Sequence, residues 1–381
     1  MQYNSQKFDP RGRTVMRIGT VKEIKRYEYR VGLTPSNVKE YVSNGHAVYV
    51  QTGAGAGSSF SSEEYAAAGA TILNTAKEVW DACDMIVKVK EPLPDEYPLI
   101  KEDQIIYTYL HLAASRQLTE ALLASKAKAV AYETIEDASG GLPLLRPMSE
   151  IAGKLSIQAG ARCLEKPMGG RGVLLGGTVG VKKAECMIIG GGIVGTAALK
   201  MALGLGANVT ILDKNVERLA YLDDIFGSRI QTLYSTPAAI EESLPKADLV
   251  IGAVLIPGGK APKLIRKEDL KTMKPGAVIV DVAVDQGGCC ETTTLTYHDA
   301  PTFVVDGIVH YCVGNMPGAV SQTSTYALTN ATLPYGLKIA NQGLDAAIAQ
   351  DEGLLKGVNT YNGKLTCKEV ATAFAMEYTS L

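Results

Sequence analysis

The sequence has no excess of charge of either sign, since 38 Lys and Arg residues stand against 40 Asp and Glu residues in a chain of 381. Such a balance gives no reason to expect binding to nucleic acid or to an anionic membrane. Charges or glycines interrupt every apolar stretch before it reaches the length of a bilayer span. The start of the chain, MQYNSQKFDPRGRTV, is polar and lacks the apolar segment of a secretory signal. We therefore expect a cytoplasmic protein with no membrane partner.

The sequence also lacks the patterns of a disulfide framework or a metal centre. Its cysteines are odd in number, form no C-x-x-C motif and lie mostly in apolar runs, at positions 83, 163, 186, 289, 290, 312 and 367. We interpret them as reduced core residues, with Cys289-Cys290 as the one pair of interest. No group of His, Cys, Asp and Glu has the spacing of metal ligands, so we predict no bound metal.

Glycine, by contrast, is abundant, and one cluster of it has the pattern of a dinucleotide-binding loop. IIGGGIVG at 188–195 places Gly190, Gly192 and Gly195 at the spacing G-x-G-x-x-G. The spacing alone decides little, but an apolar run precedes it and a helix-favouring segment, 196–203, follows it. The first glycine makes a tight turn, the second lets backbone N–H groups approach a pyrophosphate, and the third lets helix and strand pack closely. The segment predicts a Rossmann nucleotide-binding domain.

The next apolar run, 208–212, ends on Asp213, roughly 20 residues beyond the glycines. A carboxylate at this position accepts hydrogen bonds from the adenosine ribose and repels a 2′-phosphate. Lys214 and Arg218 stand nearby and could soften that repulsion. We predict NAD(H) rather than NADP(H) as the cofactor. A glycine turn in an α/β domain that binds no nucleotide remains the alternative.

Short apolar runs alternate with helical segments, which predicts an α/β protein of two doubly wound domains. The strand-like runs lie at 17–20, 46–51, 84–90, 104–110 and 128–132, and then at 186–189, 208–212, 248–254, 277–284 and 302–306. A cleft between two such domains is a usual place for a small-molecule site. The chain is helix-prone from about Ser324 onward, and we expect part of this segment to return to the first domain.

Polar residues that follow apolar runs are candidates for the site, because ligands of wound sheets bind beyond the carboxyl ends of strands. Arg30, Lys90, His111 and Asp285 meet this criterion. Arg30 can bind a carboxylate in a two-point fork, and Lys90 can hydrogen-bond the same carboxylate or a carbonyl oxygen. His111 can exchange a proton with that oxygen as hydride reaches the carbon, while Asp285 can tune the histidine, orient ammonia or relay a proton. Together they suit a 2-oxo acid, although each residue can also be a structural or solvated charge.

These residues lie in segments through which the chain resembles the bacterial L-alanine dehydrogenase family, over residues 16–381. The segments are MRIGTVKEIKRYEYRVGLTP at 16–35, VKVKEP at 87–92, YLHLA at 109–113, RPMSEIAG at 146–153, MIIGGGIVG at 187–195, ILDKNVERL at 211–219, IVDVAVDQGG at 279–288 and HYCVGNMPGAVSQTST at 310–325. The resemblance implies the reversible conversion of L-alanine, NAD⁺ and water to pyruvate, ammonium and NADH by a homohexamer. It also implies a discontinuous substrate domain, 1–144 and 322–381, and an NAD(H)-binding domain, 145–321.

Carried over by position, the resemblance gives Arg30 and Lys90 the role of binding the substrate and makes His111 and Asp285 the catalytic pair. The implied cofactor contacts are Ser149, Gly192, Asp213, Arg218, Ser235, Asn315 and Met316. The chain departs from the family in two respects. Its first 15 residues extend beyond the usual start, and Arg218 stands where a lysine is common.

Three other functions stay open from the sequence. A nucleotide-binding subunit of a proton-translocating transhydrogenase has the same fold, but the family resemblance implies that it does not carry the pair His111 and Asp285. A protein that senses NAD(H) without turnover would keep the glycines and Asp213 but would not need the four polar residues. A dehydrogenase acting on a larger 2-oxo acid is the nearest alternative, because sequence alone does not size the substrate pocket.

Overall fold

The computed structural model describes residues 7–8, 14–254 and 261–381. The chain divides into two compact units, each with its own sheet. Unit 1 comprises Met1–Pro147 and Val320–Leu381, and unit 2 comprises Met148–Ala319.

The described residues form strands and helices that alternate along most of the chain. The strands are β1 Lys7–Phe8, β2 Thr14–Val15, β3 Arg17–Thr20, β4 Ala47–Gln51, β5 Thr71–Leu73, β6 Met85–Val87, β7 Ile105–Thr108, β8 Lys128–Ala131, β9 Glu185–Ile189, β10 Asn208–Asp213, β11 Ile230–Tyr234, β12 Leu249–Gly252, β13 Val278–Asp281, β14 Thr302–Val305, β15 Ile308–Tyr311, β16 Val358–Tyr361 and β17 Lys364–Leu365. The helices are α1 Pro35–Ser43, α2 Ser62–Ala67, α3 Ala76–Ala82, α4 Arg116–Ser125, α5 Arg146–Cys163, α6 Ile193–Gly204, α7 Val216–Phe226, α8 Pro237–Ser243, α9 Ser321–Gln342, α10 Leu344–Ala349, α11 Glu352–Gly357 and α12 Lys368–Phe374.

Unit 1 is built on an eight-stranded sheet of order β17-β16-β8-β7-β6-β3-β4-β5. Strands β3 to β8 are parallel, and the C-terminal strands β16 and β17 extend the sheet in antiparallel pairing beside β8. From β3 the chain first builds towards β5 and then returns to build from β6 to β8 on the other side. The order therefore changes direction between β3 and β6, which is where wound sheets bind their ligands.

Unit 2 is built on a seven-stranded sheet of order β11-β10-β9-β12-β13-β15-β14. All pairs are parallel except β14 with β15. The direction change lies between β9 and β12. Strands β12 and β13 are buried along their whole length, as expected for parallel strands covered by helices on both faces. The predicted α/β class with two wound domains, one of them of Rossmann type, is confirmed.

The sequence-based strands and helices differ from the structure in several places. The helix-prone C-terminal segment contains strands β16 and β17, and β16 pairs with β8. Strands β5, β11 and β15 were absent from the prediction; β5 is an edge strand and β11 is largely accessible, so neither is a clearly apolar run. The strands that precede Lys90, His111 and Asp285 also end earlier than predicted, since β6 stops at Val87, β7 at Thr108 and β13 at Asp281. Lys90, His111 and Asp285 are thus loop residues that follow strand ends.

Local sequence signals set the helix starts. Thr34 caps α1, because its hydroxyl accepts a hydrogen bond from the Asn37 N–H at 3.2 Å and its own N–H donates to Asn37 Oδ1 at 3.0 Å. Pro35 stands at the first helical position, where its missing N–H costs nothing. This cap fixes the start of α1. It therefore fixes one end of the loop between β3 and α1, which carries Arg30.

No helix in the described ranges has the length and apolarity needed to cross a bilayer. The seven cysteines are free thiols in buried positions. Burial raises the pKa of Cys289 well above the usual thiol range, so this thiol stays protonated at neutral pH. Among the residues that the structure describes, no group of three or more His, Cys, Asp or Glu side chains is arranged to hold a metal ion.

Unit 1 contains a buried ion-pair triad beside the end of β6. Lys88 is fully buried, and its Nζ donates to Glu23 Oε2 at 3.0 Å and lies 2.9 Å from Glu96 Oε1. Burial raises the pKa of the Glu23 carboxyl, and the charge of Lys88 opposes that rise. Because the Lys88 charge compensates both carboxylates, removing it leaves two acidic groups in the interior without a cation.

We predict that Lys88→Met lowers the free energy of unfolding of unit 1 by about 3–5 kcal/mol, because one partner of a buried ion pair is lost. The single tryptophan, Trp80, is buried in the core of unit 1, so its fluorescence in a urea titration follows the unfolding of that unit. The matched control is Lys77→Met, which breaks an exposed pair with Asp81 in α3 and should cost less than about 1 kcal/mol. Equal urea midpoints for the two variants would refute a stabilising role for the triad.

Candidate functional site

The structure brings three of the predicted polar residues to one edge of the unit 1 sheet. Arg30 lies in the loop after β3, Lys90 follows β6 and His111 follows β7. These three strands are neighbours in the sheet and run parallel. Their carboxyl ends therefore meet at the point where the strand order changes direction.

Arg30 is almost completely buried and is paired with Glu28. Its Nε donates to Glu28 Oε1 at 2.7 Å and its Nη2 donates to Oε2 at 2.6 Å, so the contact is bidentate. Burial alone would raise the pKa of Glu28, but the hydrogen bond and charge of Arg30 lower it to about 2. Glu28 is therefore ionised at neutral pH, and it holds one edge of the guanidinium in a fixed orientation.

Lys90 is held by its backbone rather than by its ammonium group. Glu23 Oε1 accepts hydrogen bonds from the N–H groups of Val89 at 2.6 Å and Lys90 at 3.2 Å. The Thr108 hydroxyl, at the end of β7, donates to the carbonyl of Lys90 at 3.0 Å. Within the described ranges, the ammonium of Lys90 makes no hydrogen bond or ion pair.

Burial, followed by the neighbouring charge of Arg30, lowers the pKa of Lys90. The two like charges therefore repel each other. A carboxylate bound beside them would relieve their repulsion and stabilise the charged form of Lys90. The pair thus has the chemistry of an anion site.

His111 follows β7 in a left-handed backbone conformation, with φ of 48°, which is uncommon for a residue with a side chain. Glu133 holds this turn, since its carboxylate accepts hydrogen bonds from the N–H groups of His111 at 2.5 Å and Leu110 at 3.0 Å. The imidazole stacks on Tyr109, with ring centroids 5.9 Å apart, and its Nδ1 lies 3.8 Å from Glu133 Oε1. With 45% of its side chain exposed, the imidazole of His111 is accessible from outside the protein.

The sequence analysis did not identify the three glutamates that hold these residues. Glu28 stands two residues before Arg30, so its proximity was available as a signal. Glu23 and Glu133 are far in sequence from Lys90 and His111, and no local pattern links them. Only the fold brings these carboxylates to the strand ends.

In unit 2 the glycine loop lies at the direction change between β9 and β12. Gly190 has φ of 104°, and a Cβ built on it would lie 2.7 Å from the carbonyl oxygen of Ala253, just beyond β12. A Cβ on Gly195 would lie 1.8 Å from the carbonyl oxygen of Gly190, so α6 packs directly on the loop. Gly192 caps the N-terminus of α6, and no atom lies within 4 Å of its missing Cβ. Gly190 and Gly195 therefore leave no room for a side chain, whereas a side chain at Gly192 would meet open space at the start of α6.

The backbone N–H and carbonyl of Gly191 are both held by side chains, one at the end of β10 and one beyond it. Its N–H donates to Asp213 Oδ2 at 2.6 Å, and its carbonyl accepts from Arg218 Nε at 2.6 Å. Arg218 Nη2 also donates to the Thr196 hydroxyl at 2.7 Å, and the guanidinium lies 4.8 Å from the ring centroid of Tyr221. Arg218, predicted beside the ribose, is thus directed towards the glycine loop.

A cavity of 440 Å³ opens at this loop. Five predicted cofactor residues line it, namely Ser149, Gly190, Gly192, Asp213 and Ser235. A second cavity of 740 Å³ in the same unit is lined mainly by apolar side chains and by none of the predicted residues. The first cavity has features that could hold a dinucleotide, namely the open Gly192 position, the N-terminus of α6 and the Asp213 carboxylate.

Asp285 lies in the turn Val284–Gln286, beyond the end of β13, and its side chain is accessible. A Cβ built on Gly314 would lie 2.9 Å from Asp285 Oδ1, so the segment that carries Asn315 and Met316 passes directly beside this carboxylate. Asn315 has a left-handed backbone with φ of 55°, and Met316 is buried. Neither of these two residues lines the 440 Å³ cavity.

Comparison with known proteins gives matches along nearly the whole chain. The family model described as alanine dehydrogenase/PNT, N-terminal domain, matches residues 19–152, and the model for the C-terminal domain of the same family matches residues 156–368. An alanine dehydrogenase of Methanococcus maripaludis is 59% identical over 365 residues, which cover 96% of this chain and 98% of that protein.

Two solved structures are similar to the chain. The structure of an L-alanine dehydrogenase is 55% identical and superposes with a TM-score of 0.92, covering 94% of this chain and 99% of that one. The transhydrogenase from Sinorhizobium meliloti is 23% identical, with a TM-score of 0.80 and coverage of 92% and 99%. This second likeness shows the shared fold alone.

We predict that Gly192→Ala weakens NADH binding at least about ten-fold, or about 1.4 kcal/mol, while the melting temperature stays nearly unchanged. The added methyl meets no protein atom within 4 Å and instead occupies the space that a pyrophosphate needs. The measurement is the dissociation constant of NADH from its fluorescence, beside a thermal melt.

The control is Gly204→Ala at the other end of α6, where a Cβ also meets nothing within 4 Å, and this variant should bind NADH normally. Gly195→Ala should behave differently, lowering the melting temperature because its methyl overlaps the Gly190 carbonyl. Wild-type NADH affinity in Gly192→Ala would contradict the binding of the pyrophosphate at this loop.

Proposed function

Since the chain belongs to the alanine dehydrogenase/PNT family, we propose that it catalyses the NAD-dependent, reversible oxidative deamination of L-alanine to pyruvate and ammonium. The observation that carries this proposal is identity of 59% to an alanine dehydrogenase along almost the entire length of both chains. The polar residues at the strand ends of the two units are those that such a reaction needs. Unit 1 is assigned to the substrate and unit 2 to the cofactor.

Arg30 and Lys90 are the proposed binding residues for the carboxylate of pyruvate or alanine. Glu28 neutralises one of these two positive charges, so the group Glu28, Arg30 and Lys90 retains one net positive charge for a monoanionic substrate. Glu28 engages the Nε–Nη2 edge of the Arg30 guanidinium and so fixes the orientation in which Arg30 would meet the substrate carboxylate. The sequence analysis predicted that Arg30 binds a carboxylate through two points. Arg30 remains the proposed residue, but Glu28 already makes a two-point contact with it.

His111 is the proposed proton donor and acceptor at the carbonyl oxygen. Glu133 fixes the backbone of the His111 turn, and Tyr109 stacks on the imidazole, so the ring position is defined from two sides. The nearness of Nδ1 to Glu133 favours the tautomer with a proton on Nδ1, which leaves Nε2 to act on the substrate. This arrangement follows the logic of a carboxylate that orients a catalytic histidine.

Asp285 is the second proposed catalytic residue. In the direction of amination, ammonia adds to the polarised carbonyl carbon, and the resulting carbinolamine loses water to give an imine. Asp285 is assigned to take or return the protons that nitrogen exchanges in these steps, while His111 protonates the leaving hydroxyl. The accessible turn of Asp285 supports this role, because the carboxylate is not enclosed by the core.

The proposed cofactor residues are Ser149, Gly190, Gly192, Gly195, Asp213, Arg218, Ser235, Asn315 and Met316. When bound, NAD supplies the hydride acceptor in deamination, and NADH supplies the hydride in amination. Asp213 would accept hydrogen bonds from the ribose hydroxyls and disfavour a 2′-phosphate, and the N-terminus of α6 would hold the pyrophosphate. Arg218 acts through the loop, since its guanidinium holds the Gly191 carbonyl.

A homohexamer in the cytoplasm is part of the same proposal. Large apolar side chains are exposed on one segment of unit 2, at Leu174, Val179 and Val181. Exposed apolar clusters of this kind mark contacts between proteins, which supports association of copies of the chain. The cytoplasmic assignment follows from the reaction, because NAD(H), pyruvate and ammonium are metabolites of that compartment.

The proposed reaction is tested by the absorbance of NADH in a mixture with pyruvate and ammonium. We expect oxidation that depends on ammonium, is fastest with pyruvate rather than glyoxylate or 2-oxobutyrate, and is much slower with NADPH. His111→Ala should retain NADH binding and lose turnover by about 10²–10⁴-fold, the usual contribution of a general acid–base residue. A protein that binds NADH but oxidises it with none of these oxo acids would contradict the proposed function.

We predict that carboxylate binding weakens as the pH rises, through loss of the Lys90 proton. Burial lowers the pKa of Lys90, while a bound carboxylate favours its charged form, so affinity is full below that pKa and falls as the pH rises through it. The measurement is the dissociation constant of oxamate, an unreactive analogue of pyruvate, for the protein saturated with NADH across alkaline pH.

Lys90→Arg should abolish this pH dependence, because a guanidinium does not titrate in this range. Lys25→Arg is the control, since Lys25 lies nearby but is paired with Glu91, and this variant should retain the dependence. If oxamate affinity follows the same pH curve in Lys90→Arg as in wild type, another group controls it.

A further inference from the structure

Unit 2 contains a buried carboxylate that the proposed reaction does not use. Asp281 ends β13 and is fully buried. Its Oδ1 accepts a hydrogen bond from the Ala283 N–H at 3.1 Å. Its Oδ2 accepts from the N–H groups of Cys289 at 2.8 Å and Cys290 at 3.3 Å, and from the Thr293 hydroxyl at 2.5 Å.

The Asp281 carboxylate has no ion pair with any Lys, Arg or His of the described ranges, so hydrogen bonds such as these compensate its charge. An interior carboxylate without a cation is costly unless each oxygen is hydrogen-bonded. The donors come from both arms of one loop, Ala283 on the outgoing arm and Cys289 to Thr293 on the returning arm. The carboxylate thus closes the loop at its base.

Asp285 lies at the tip of this closed loop, between the two arms. Glycine permits the close approach at the base, because Gly288 has φ of 74° and a Cβ on it would lie 2.6 Å from Asp281 Oδ2. Lys263 adds a contact from outside the loop, donating to the Cys290 carbonyl at 2.9 Å. The position of the Asp285 carboxylate therefore depends on how the base is held.

We propose that Asp281 is a positioning residue for the reaction, which it serves by holding the loop that presents Asp285. The proposal rests on the proposed function, because it requires Asp285 to take part in proton transfer. Asp281 itself is enclosed by the protein and does not meet the substrate. Its effect on turnover passes through the placement of Asp285, and a shift of about 1 Å at a reacting group can cost about 10²-fold in rate.

Two substitutions weaken the base of the loop to different degrees. Asp281→Asn replaces one acceptor oxygen by an NH₂ group that faces backbone N–H groups, so it disturbs several hydrogen bonds at once. Thr293→Val removes a single donor and keeps the volume of the side chain. Thr292→Val is the matched control, because Thr292 bonds to His310 and Cys290 and does not touch Asp281.

The test is a double-mutant cycle with Asp285→Asn, in which kcat for pyruvate amination is measured. Enzyme concentrations are raised until the residual turnover of each variant can be measured. We expect Thr293→Val to lower kcat about ten-fold or more, Asp281→Asn to lower it further, and both to leave NADH affinity unchanged. In the Asp285→Asn background neither substitution should lower kcat again, because the group that they position is already absent. Thr292→Val should change kcat little in either background.

The possible outcomes distinguish a failure of the positioning role of Asp281 from a failure of the proposed function. In one outcome, Asp285→Asn loses turnover while Thr293→Val lowers kcat by the same factor in that background as in wild type. This result would overturn the positioning role and leave the proposed function intact. Wild-type turnover in Thr293→Val would also overturn it. Wild-type turnover in Asp285→Asn would instead remove Asp285 from the reaction, and the positioning role with it. If Asp281→Asn does not fold, the Thr293→Val cycle decides the question alone.

Discussion

The functional loops of both units depend on carboxylates that accept hydrogen bonds from backbone N–H groups at the carboxyl ends of strands. Where a parallel strand ends, the following N–H groups lose their ladder partners, and an unpaired buried N–H is costly. Glu23 takes this role after β6, Glu133 after β7, Asp213 towards the glycine loop and Asp281 after β13. Each carboxylate supplies two strong acceptors and fixes the turn that carries a functional residue. The site is therefore held by side chains that need not touch the substrate.

Glycines make the same close approaches possible on the backbone side. Gly190 and Gly195 leave no room for a methyl group, because carbonyl oxygens occupy the space where a Cβ would lie. Gly314 likewise leaves room for the carboxylate of Asp285. Gly192 differs, since its missing side chain faces empty space. Gly204 also faces open space, so the proposed ligand contact of Gly192 depends in addition on its place at the N-terminus of α6 and in the lining of the 440 Å³ cavity.

Much of this arrangement could be predicted from the sequence, and the limits have physical causes. Buried parallel strands are continuous apolar runs, so the central strands and the glycine loop were recognisable. Edge strands such as β5 and β11 escaped prediction because partly exposed strands carry mixed residues. The polar residues at strand ends could be selected because direction changes in wound sheets place them together. The carboxylates Glu23 and Glu133 could not, because their partners lie distant in sequence and only the tertiary fold joins them.

The likeness to a transhydrogenase shows why the fold does not determine the reaction. A chain 23% identical superposes with a TM-score of 0.80, so the architecture is shared well beyond close sequence similarity and does not by itself define an activity. The proposed function of this chain rests on side chains that follow strand ends. In this chain the proposed anion site is the cationic pair Arg30 and Lys90, and the proposed proton-exchanging residue is His111, which stacks on Tyr109. The proposed function depends on these loops, and the carboxylates of Glu23, Glu28 and Glu133 hold them through hydrogen bonds.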